Sequence, residues 1–393
     1  MSFKISDTVT WVGKIDWELS KFHGDEYSTH KGSSYNSYLI KDEKTVLIDT
    51  VWQPFSKDFV ANLKKEVDLK EIDYIIMNHS EIDHSGGLCD LMREIPDTPI
   101  YCTKNGVKVI KGHHHKDWNF AEVKTGDTLD IGKNKLIFIE ARMLHWPDSM
   151  FTYMSGENIL FSNDGFGQHF ASELMYNDRV DQNDLYTEAM KYYANILNPF
   201  NKFVINKINE ILSLNVPVNM ICPSHGIIWR DNPTQIVSKY MEWADSYQEN
   251  QITVIYDTMW NGTRKMAEAI AAGITSADEN VEVKLFNVAH RDKNDIITEV
   301  FKSKMILVGS STINKGILSA SAGLLEMIKG LAFTGKKAAA FGSYGWSGES
   351  VKILNGLLKD SGFEVVNEGI RELWNPDEDA LERCRKFGEE LLK

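Results

Sequence analysis

The sequence contains few cysteines and no cluster of them. Only four occur in 393 residues, and they are Cys89, Cys102, Cys222 and Cys384. No two form a Cys-x-x-Cys pair, which rubredoxin and ferredoxin modules need for their clustered thiolates. The spacing therefore excludes such a module within these residues, and unpaired cysteines are typical of a reducing compartment. An iron–sulfur electron donor must accordingly be a separate molecule.

Long apolar runs and an excess of positive charge are also missing. A membrane-spanning helix needs about 20 apolar residues in succession, and no segment approaches that length. The first seven residues lack the apolar region of a secretory signal, so we expect a cytoplasmic protein. The 43 basic residues against 56 acidic ones give a net charge of −13, which argues against nucleic acid or an anionic membrane as a partner.

One short segment carries four side chains of metal-ligating type. His79, Glu81, Asp83 and His84 directly follow the apolar run at residues 74–78. If the strand continues, its period of two places the first three on one side, and a turn brings the fourth beside them. Two imidazoles and two carboxylates at one point fit neither a core nor a solvated face, and the carboxylates would repel each other without cations. We therefore predict a binuclear metal site.

This segment resembles the metallo-β-lactamase signature His-x-His-x-Asp-His, which usually holds zinc. Glu81 stands in place of the second histidine. An anionic oxygen ligand suits iron with open coordination positions better than it suits a closed zinc site. The family that carries this glutamate is the flavodiiron proteins, and the chain is similar to that family over almost its whole length.

Three later positions complete the predicted ligands. His145, Asp164 and His225 each lie near the end of a strand-like stretch beside Gly, Pro or Ser, where binding loops are expected. Taken singly, each histidine would more often be structural and the aspartate a helix cap or turn residue. Their order relative to the first segment favours ligands. The resemblance implies one iron on His79, Glu81 and His145, a second iron on Asp83, His84 and His225, and a bridging Asp164.

Four other features near this site are interpreted individually. By resemblance, His23 and Tyr193 are candidate hydrogen-bond donors beside the metals, and each could equally be core packing. Asp49 closes an apolar strand and is either a partner of a ligand histidine or a turn residue. The run of three histidines at residues 113–115 has no carboxylate partner nearby, so we interpret it as a solvated loop outside the site.

The sequence changes pattern near residue 250. Before it, short strand-like runs alternate with helical patterns and with loops rich in Gly, Asp and His. After a polar helix-like stretch at residues 238–250, a buried strand at 252–256 leads through a hydroxyl-rich loop into a helix from 264 to about 274. That order begins a doubly wound sheet. We predict an α/β protein with a metallo-β-lactamase-like αββα diiron domain at 1–250 and a flavodoxin-like parallel-sheet domain at 251–393.

Three loops, each after an apolar strand, indicate a second cofactor. Gly-x-Gly-x-x-Gly and Gly-x-x-x-x-Gly-Lys-Ser/Thr are absent, so neither a dinucleotide fold nor a nucleoside triphosphatase is indicated. The first loop offers hydroxyls and backbone N–H groups at a helix start, which suits a phosphate, and it resembles flavodoxin, which binds FMN. Asn261 departs from the Gly, Ala or Cys usual there, and Tyr344 or Trp346 can stack on the flavin ring. The candidate FMN residues are Thr258, Met259, Trp260, Asn261, Gly262, Thr263, Ser310, Ser311, Thr312, Asn314, Ser343, Tyr344, Gly345, Trp346, Ser347 and Gly348.

The resemblance implies an oxidoreductase that passes electrons through FMN to two non-haem irons with an oxo or hydroxo bridge. The substrate is dioxygen reduced to water, nitric oxide reduced to nitrous oxide, or both, and the sequence does not decide between them. The implied donor is a separate rubredoxin or similar one-electron carrier, with the reduced deazaflavin F420H2 as a lesser possibility. The implied assembly is a head-to-tail homodimer or a dimer of such dimers.

Two other functions are weighed against this one. The first is a metal-dependent hydrolase of metallo-β-lactamase type with a flavodoxin passenger, which would use a metal-bound hydroxide. Glu81 argues against it. The second is a plain electron carrier with a vestigial metal site, and the presence of all seven ligand types argues against that.

Overall fold

The computed structural model describes residues 2–393, which form two compact units. The first unit runs to Tyr192 and continues over Phe200–Met241, and the second combines Tyr193–Pro199 with Glu242–Lys393. Nothing in the sequence pattern pointed to the assignment of Tyr193–Pro199 to the second unit. The domain boundary at residue 250 stays a prediction.

The first unit is built from two mixed sheets. Its strands are β1 (Phe3–Lys4), β2 (Val9–Trp11), β3 (Lys14–Asp16), β4 (Lys21–Phe22), β5 (Tyr27–Ser28), β6 (Ser33–Tyr35), β7 (Tyr38–Lys41), β8 (Thr45–Ile48), β9 (Ile72–Ile76), β10 (Ile100–Thr103), β11 (Phe120–Val123), β12 (Thr128–Asp130), β13 (Lys135–Glu140), β14 (Met150–Met154), β15 (Ile159–Asn163) and β16 (Met220–Pro223). One sheet has the order β1-β2-β7-β8-β9-β10-β11, the other β12-β13-β14-β15-β16, and two ribbons pair β3 with β6 and β4 with β5.

The first unit is layered because neighbouring residues of a strand point to opposite faces. In β8, Leu47 packs with Leu63 and Leu91 of the helices that cover one face. Ile48 instead packs with Phe161 of the second sheet. The helices are α1 (Ser56–Glu66), α2 (Ile82–Ser85), α3 (Leu88–Glu94), α4 (Lys104–His114), α5 (Gln182–Tyr192), α6 (Asn201–Ser213) and α7 (Thr234–Ala244), with 3-10 turns at Gln53–Phe55 and Leu69–Glu71. A third 3-10 turn, Asn198–Phe200, and the last residues of α7 fall partly in the second unit.

A further helical layer covers the outer face of the second sheet. Phe151 of β14 packs on Phe166 at 6.2 Å between ring centroids, and Phe166 packs on Tyr240 of α7 at 4.8 Å. All three side chains are buried or nearly so. The predicted αββα sandwich is confirmed.

The second unit is a parallel sheet with helices on both faces. Its elements are β17 (Glu249–Asp257), α8 (Gly262–Ala277), β18 (Glu282–Asn287), α9 (Lys293–Lys302), β19 (Ser303–Ser310), α10 (Ser319–Leu331), β20 (Lys337–Tyr344), α11 (Ser350–Asp360), β21 (Glu364–Val365), β22 (Ile370–Leu373) and α12 (Glu378–Glu390), with a π-helical turn at Tyr193–Leu197. The strand order is β18-β17-β19-β20-β21, and β22 also pairs with β20. The predicted doubly wound sheet is confirmed, and its order reverses between β17 and β19, where such sheets bind ligands.

One face of this sheet shows why α8 forms. Met266, Ile270 and Ile274 recur at helical spacing and pack with Val254 and Cys384, the latter from α12.

The stretch at 238–250, in contrast, is not one helix. Helix α7 ends at Ala244, because the next residue but one, Ser246, has a φ of 52°, and residues from Glu249 onward pair in β17.

Within residues 2–393 no helix has both the length and the apolar character needed to cross a bilayer.

Candidate metal centre and cofactor cavity

The predicted metal ligands come together in the first unit, each in a loop or helix beyond a strand. Residues 79–84 follow β9, Asp164 directly follows β15, and His225 lies two residues after β16. His145 lies between β13 and β14. Loops at strand ends can direct side chains from several strands to one point.

Asp164 lies at the centre of this cluster. Its Oδ2 atom is 3.6 Å from His79 Nε2 and 3.3 Å from His145 Nε2. Its Oδ1 atom is 3.3 Å from His84 Nε2 and 3.5 Å from His225 Nε2. The two oxygens of one carboxylate therefore face two different pairs of imidazoles.

The other two carboxylates divide between these pairs. Glu81 Oε2 is 3.3 Å from His79 Nε2, and Asp83 Oδ2 is 3.0 Å from His225 Nε2. The first ligand set consists of His79, Glu81 and His145, and the second ligand set consists of Asp83, His84 and His225. Each set has two histidines and one carboxylate, which is the grouping that the resemblance implied.

The donor atoms of the cluster fit metal ions. Asp83 Oδ1, His84 Nε2 and both carboxylate oxygens of Asp164 are buried without a hydrogen-bond partner among residues 2–393. Buried polar atoms are nearly always paired. Mixed imidazole and carboxylate atoms around common points are ligand types that iron accepts. The chemistry of the donor set therefore fits two cations that share Asp164.

The charges of the cluster also call for cations. Burial raises the pKa of the Asp164 carboxyl, but the charge of His84 and the nearby His145 ring outweigh burial and hold it well below its usual range. Burial lowers the pKa of His84, yet the charges of Asp83 and Asp164 raise it to about 9. The carboxylates thus need positive charge beside them, which metal ions supply when the imidazoles are neutral.

The prediction that the strand continues through Asp83 is wrong. Strand β9 ends at Ile76, and Asp83 and His84 lie in the one-turn helix α2. The reason is geometric, because side chains on one face of a strand all point in the same direction and could not reach two separate ligand sets. Glu81 belongs to the first ligand set and Asp83 to the second, and the chain must turn between them to serve both.

Two ligand histidines are oriented through their second ring nitrogen. His79 Nδ1 lies 3.1 Å from Asp148 Oδ2, and His225 Nδ1 lies 2.7 Å from the Ser34 carbonyl oxygen. Neither the Asp148 carboxylate nor the Ser34 carbonyl can donate a proton. In both histidines Nδ1 therefore carries the proton and Nε2 directs its lone pair at the ligand set. Sequence analysis missed Asp148, although a carboxylate three residues after a candidate ligand histidine was a usable signal.

Asp49 supports both ligand loops. Its φ is 53°, its Oδ1 accepts the Asn78 N–H at 2.8 Å, and its Oδ2 accepts the Ser224 hydroxyl at 3.5 Å. These bonds hold the residues directly before His79 and His225, and burial raises the pKa of the Asp49 carboxyl to about 6. Asp49 therefore combines a turn conformation with support of the ligand loops, while its described side-chain bonds do not go to a ligand ring.

The two candidate donors have different surroundings. His23 Nε2 lies 3.3 Å from Glu81 Oε1, and its side chain is 35% exposed, so it marks the accessible side of the cluster. Tyr193 does not contact the ligand sets through its described ring contacts. Its buried ring packs on Trp243 and Phe301 in the second unit, which agrees with the core-packing alternative, and its role as a donor stays a prediction.

Sequence analysis missed a histidine and a tyrosine beside the second ligand set. The fully buried His169 ring lies 5.0 Å from the His225 ring and 5.3 Å from that of Tyr192, and its Nδ1 is 2.7 Å from Ser33 Oγ. Burial is the main cause that lowers the pKa of His169 well below its usual value, so the ring is neutral. No motif surrounds His169, and only its position in the fold reveals it.

The histidines at 113–115 are not a solvated loop, so that interpretation is wrong. His114 ends helix α4, and His115 has a left-handed φ of 53°. His114 is buried and contacts Ser85 and Cys89, whereas its neighbours are exposed. Helical spacing explains the difference, because consecutive residues on a helix point in different directions.

A cavity of about 770 Å³ opens at the carboxyl ends of β17, β19, β20 and β22 in the second unit. The predicted FMN residues that line it are Met259, Trp260, Gly262, Ser311, Thr312, Asn314, Ser343, Tyr344, Gly345, Trp346 and Ser347. The predicted residues outside its lining are Thr258, Asn261, Thr263, Ser310 and Gly348. The lining residues that were missed are Ile313, Lys315, Trp374 and Asn375. The last two follow β22, a strand too short to stand out in the sequence.

Hydroxyl groups are clustered around two serines that line this cavity, Ser311 and Ser343. Thr263 Oγ1 lies 2.9 Å from both Ser311 Oγ and Ser343 Oγ. Thr258 Oγ1 is buried and lacks a hydrogen-bond partner in the described part of the chain. The start of α8 adds free backbone N–H groups and the positive end of the helix dipole. This donor set fits the phosphate of FMN.

Aromatic side chains form the open rim of the cavity. Trp260 is 87% exposed, Trp346 is 88% exposed and Trp374 is 63% exposed. A Cβ atom on Gly345 would lie 3.1 Å from the Trp374 ring, so glycine allows the two to approach closely. Flat rings around an open cavity fit a planar cofactor such as isoalloxazine.

Family models match the chain in two separate stretches. That of the ODP family beta lactamase matches residues 34–226, and that of flavodoxin matches residues 254–388. The first stretch includes every residue of the two ligand sets. The second includes all the loops that line the cavity.

Relatives match nearly the full chain. A Klebsiella pneumoniae protein named anaerobic nitric oxide reductase flavorubredoxin is 58% identical over 395 aligned positions, which cover 100% of this chain and 82% of that protein. The structure of rubredoxin oxygen:oxidoreductase from Desulfovibrio gigas is 37% identical with a TM-score of 0.95, covering 99% of this chain and 97% of the other. A flavodiiron protein from Giardia intestinalis is 33% identical with a TM-score of 0.94, covering 100% and 96%.

Proposed function

This chain belongs to the flavodiiron protein family, and from that premise we propose that it is an FMN- and diiron-dependent reductase of nitric oxide, dioxygen or both. The two ligand sets would hold the irons, and the cavity of the second unit would hold FMN. When bound, reduced FMN supplies two electrons and two ferrous irons supply two more, enough to reduce dioxygen to water or to couple two nitric oxides.

One observation carries this proposal. The two oxygens of Asp164 face different histidine pairs at 3.3–3.6 Å, and each pair has its own carboxylate. A site of this kind holds two metals at a fixed spacing with a shared ligand. Glu81 makes the first ligand set richer in oxygen than the three-histidine zinc sets, which favours iron.

The accessible side of the centre is suited to a small substrate. The side chains of Glu81 and His145 are 15% and 11% exposed, whereas those of His84 and His225 are each 1% exposed. His23 lies over this side with its Nε2 atom beside Glu81 Oε1. We infer that substrate enters here and that His23 donates a hydrogen bond or a proton to it.

Nitric oxide is the first substrate to test. Of the relatives described above, the more similar one is named for anaerobic nitric oxide reduction, and the less similar Desulfovibrio gigas protein is named for oxygen. The hydrolase alternative receives no support from these relatives, which are a reductase and an oxidoreductase.

We further propose the partners and the setting of the reaction. A separate rubredoxin or similar one-electron carrier would reduce the FMN, because the sequence has no Cys-x-x-Cys pair of its own. The four cysteines are free, which supports a reducing, cytoplasmic location. A head-to-tail homodimer, or a dimer of such dimers, would place the FMN of one subunit beside the irons of the other.

The test is turnover of the iron- and FMN-loaded protein with reduced rubredoxin, with nitric oxide and dioxygen supplied in parallel. Sustained nitrous oxide production would identify a nitric oxide reductase, and faster oxygen consumption with stalled nitric oxide turnover would identify an oxidase. Anaerobic metal analysis runs beside it. Two zincs and no iron, with no turnover of either gas, would overturn the proposal.

A further inference from the structure

A chain of hydrogen bonds lies under the ligand loop, by which we mean residues 78–85. Ser85 Oγ donates to the Ser80 carbonyl oxygen at 2.9 Å. His114 Nε2 lies 3.0 Å from Ser85 Oγ, and Cys89 Sγ lies 3.2 Å from His114 Nδ1. His114 and Cys89 are outside both ligand sets and come from helices α4 and α3.

The acceptors fix the direction of every bond in this chain. The Ser80 carbonyl only accepts, so it takes the one hydroxyl proton of Ser85. His114 Nε2 must then donate its proton to Ser85 Oγ, and the remaining Nδ1 lone pair accepts the Cys89 S–H. The ring has to be neutral for this arrangement. Burial is the main cause that lowers the pKa of His114 to about 4, which is consistent with a neutral ring.

The backbone of Ser80 is thereby held at both its N–H and its carbonyl oxygen. Its N–H donates to Asp148 Oδ2 at 2.8 Å, and its carbonyl accepts from Ser85. Ser80 lies between His79 and Glu81 of the first ligand set. Ser85 directly follows His84 of the second. The bond between the two serines therefore ties the two ligand sets to each other through the chain.

We propose that His114 is a positioning residue for the diiron centre. By donating from Nε2 to Ser85 Oγ, it keeps that hydroxyl directed at the Ser80 carbonyl and so fixes the distance between the two ligand sets. His114 contacts neither the ligand atoms nor a substrate. The inference rests on the proposed ligand sets.

The test compares His114→Gln with His114→Asn. The glutamine amide nitrogen can take the place of Nε2 and donate to Ser85, whereas the shorter asparagine amide reaches only the place of Nδ1. Iron release into a ferrous chelator is followed for the iron- and FMN-loaded protein, together with the mixed-valence electron paramagnetic resonance spectrum. His114→Asn should release iron about tenfold faster or more and shift the spectrum. His114→Gln should stay close to the unaltered protein.

Two further variants separate positioning from general stability. Ser85→Ala should reproduce His114→Asn, and the double variant should be no worse than either one because both remove the same interaction. Lys108→Ala changes an exposed residue on the same helix and should leave iron release unchanged. Thermal unfolding is measured for all variants.

The results distinguish this inference from the proposed function. The iron content of the unaltered protein tests the ligand sets, which should hold two irons. The difference in iron release between His114→Gln and His114→Asn tests the role of His114. A full iron complement with equal iron release and equal loss of thermal stability in both His114 variants would overturn the positioning role alone.

Discussion

The metal centre and the cofactor cavity are held together by different means. At the metal centre, polar side chains such as those of Asp164 and His225 are about 1% exposed and contact one another directly. At the cavity, Trp260 and Trp346 are more than 85% exposed and the walls are loops. The first site depends on individual atoms, whereas the second depends on shape and contact area. A single-atom change should therefore disturb the first far more than the second.

The largest expected effect comes from Asp164→Ala. Removal of the carboxylate shared by both ligand sets should lower the iron content at both and reduce turnover by about 100-fold or more, while FMN stays bound. Iron per chain and flavin absorbance measure the two outcomes together. Glu173→Ala, an exposed acidic residue of the same unit, is the control. If Asp164→Ala retained two irons, the metal centre would not depend on individual atoms in the way that distinguishes it from the cavity.

A smaller but clear effect is expected from Asp148→Ala. Loss of the acceptor on His79 Nδ1 should weaken iron binding by about 10–100-fold, because the ring is no longer held with Nε2 toward the first ligand set. Competition with a chelator measures the affinity. Asp148→Asn keeps an acceptor oxygen, so its iron affinity should lie between that of the unaltered protein and that of Asp148→Ala. An unchanged affinity in Asp148→Ala would count against the orienting role.

The cavity is tested by Trp374→Ala. Loss of one stacking ring should weaken FMN binding by about tenfold, or roughly 1.4 kcal/mol, and leave the iron content unchanged. Flavin fluorescence during titration reports the affinity. Trp17→Ala, which removes an exposed tryptophan of the first unit, is the matched control. A simultaneous loss of iron would show that the two sites are not as separate as the comparison requires.

The same contrast explains what the sequence could and could not predict. The ligands at 79–84 were recognisable because four side chains of ligating type within six residues leave few other interpretations. Asp148 and His114 act on that segment from other parts of the chain, and spacing alone does not reveal such contacts. Trp374 follows a four-residue strand that carries too little pattern to be seen.

Adjacent tyrosines show a second limit of sequence analysis. Tyr192 ends helix α5 and lies beside His169, whereas Tyr193 begins a π-helical turn and packs on Phe301. Which of the two tyrosines lies beside His169 depends on where the helix changes its pitch. That change is set by packing and carries no residue signature of its own.

The smallest expected effect is at Asn261, which directly precedes α8 and has a φ of 62°. Asparagine tolerates this left-handed conformation better than most residues, which accommodates its departure from the Gly, Ala or Cys of flavodoxins. Asn261→Ala should destabilise the protein by about 1 kcal/mol, and Asn261→Gly should have almost no effect. Chemical denaturation measures the free energy of unfolding of both variants. Equal values would show that the left-handed conformation at residue 261 does not limit stability.

The segment Tyr193–Pro199 has a consequence for how this protein can be divided. It belongs to the second unit, although the residues on both sides of it belong to the first. Within the second unit, the Tyr193 ring lies 5.8 Å from that of Phe301, and the Asn198 side chain donates to the Leu331 carbonyl at 2.7 Å. The second unit is therefore discontinuous in the sequence. A fragment that begins at residue 251 would lose the Tyr193 contact with Phe301 and the Asn198 hydrogen bond to Leu331, so an isolated second unit also needs Tyr193–Pro199.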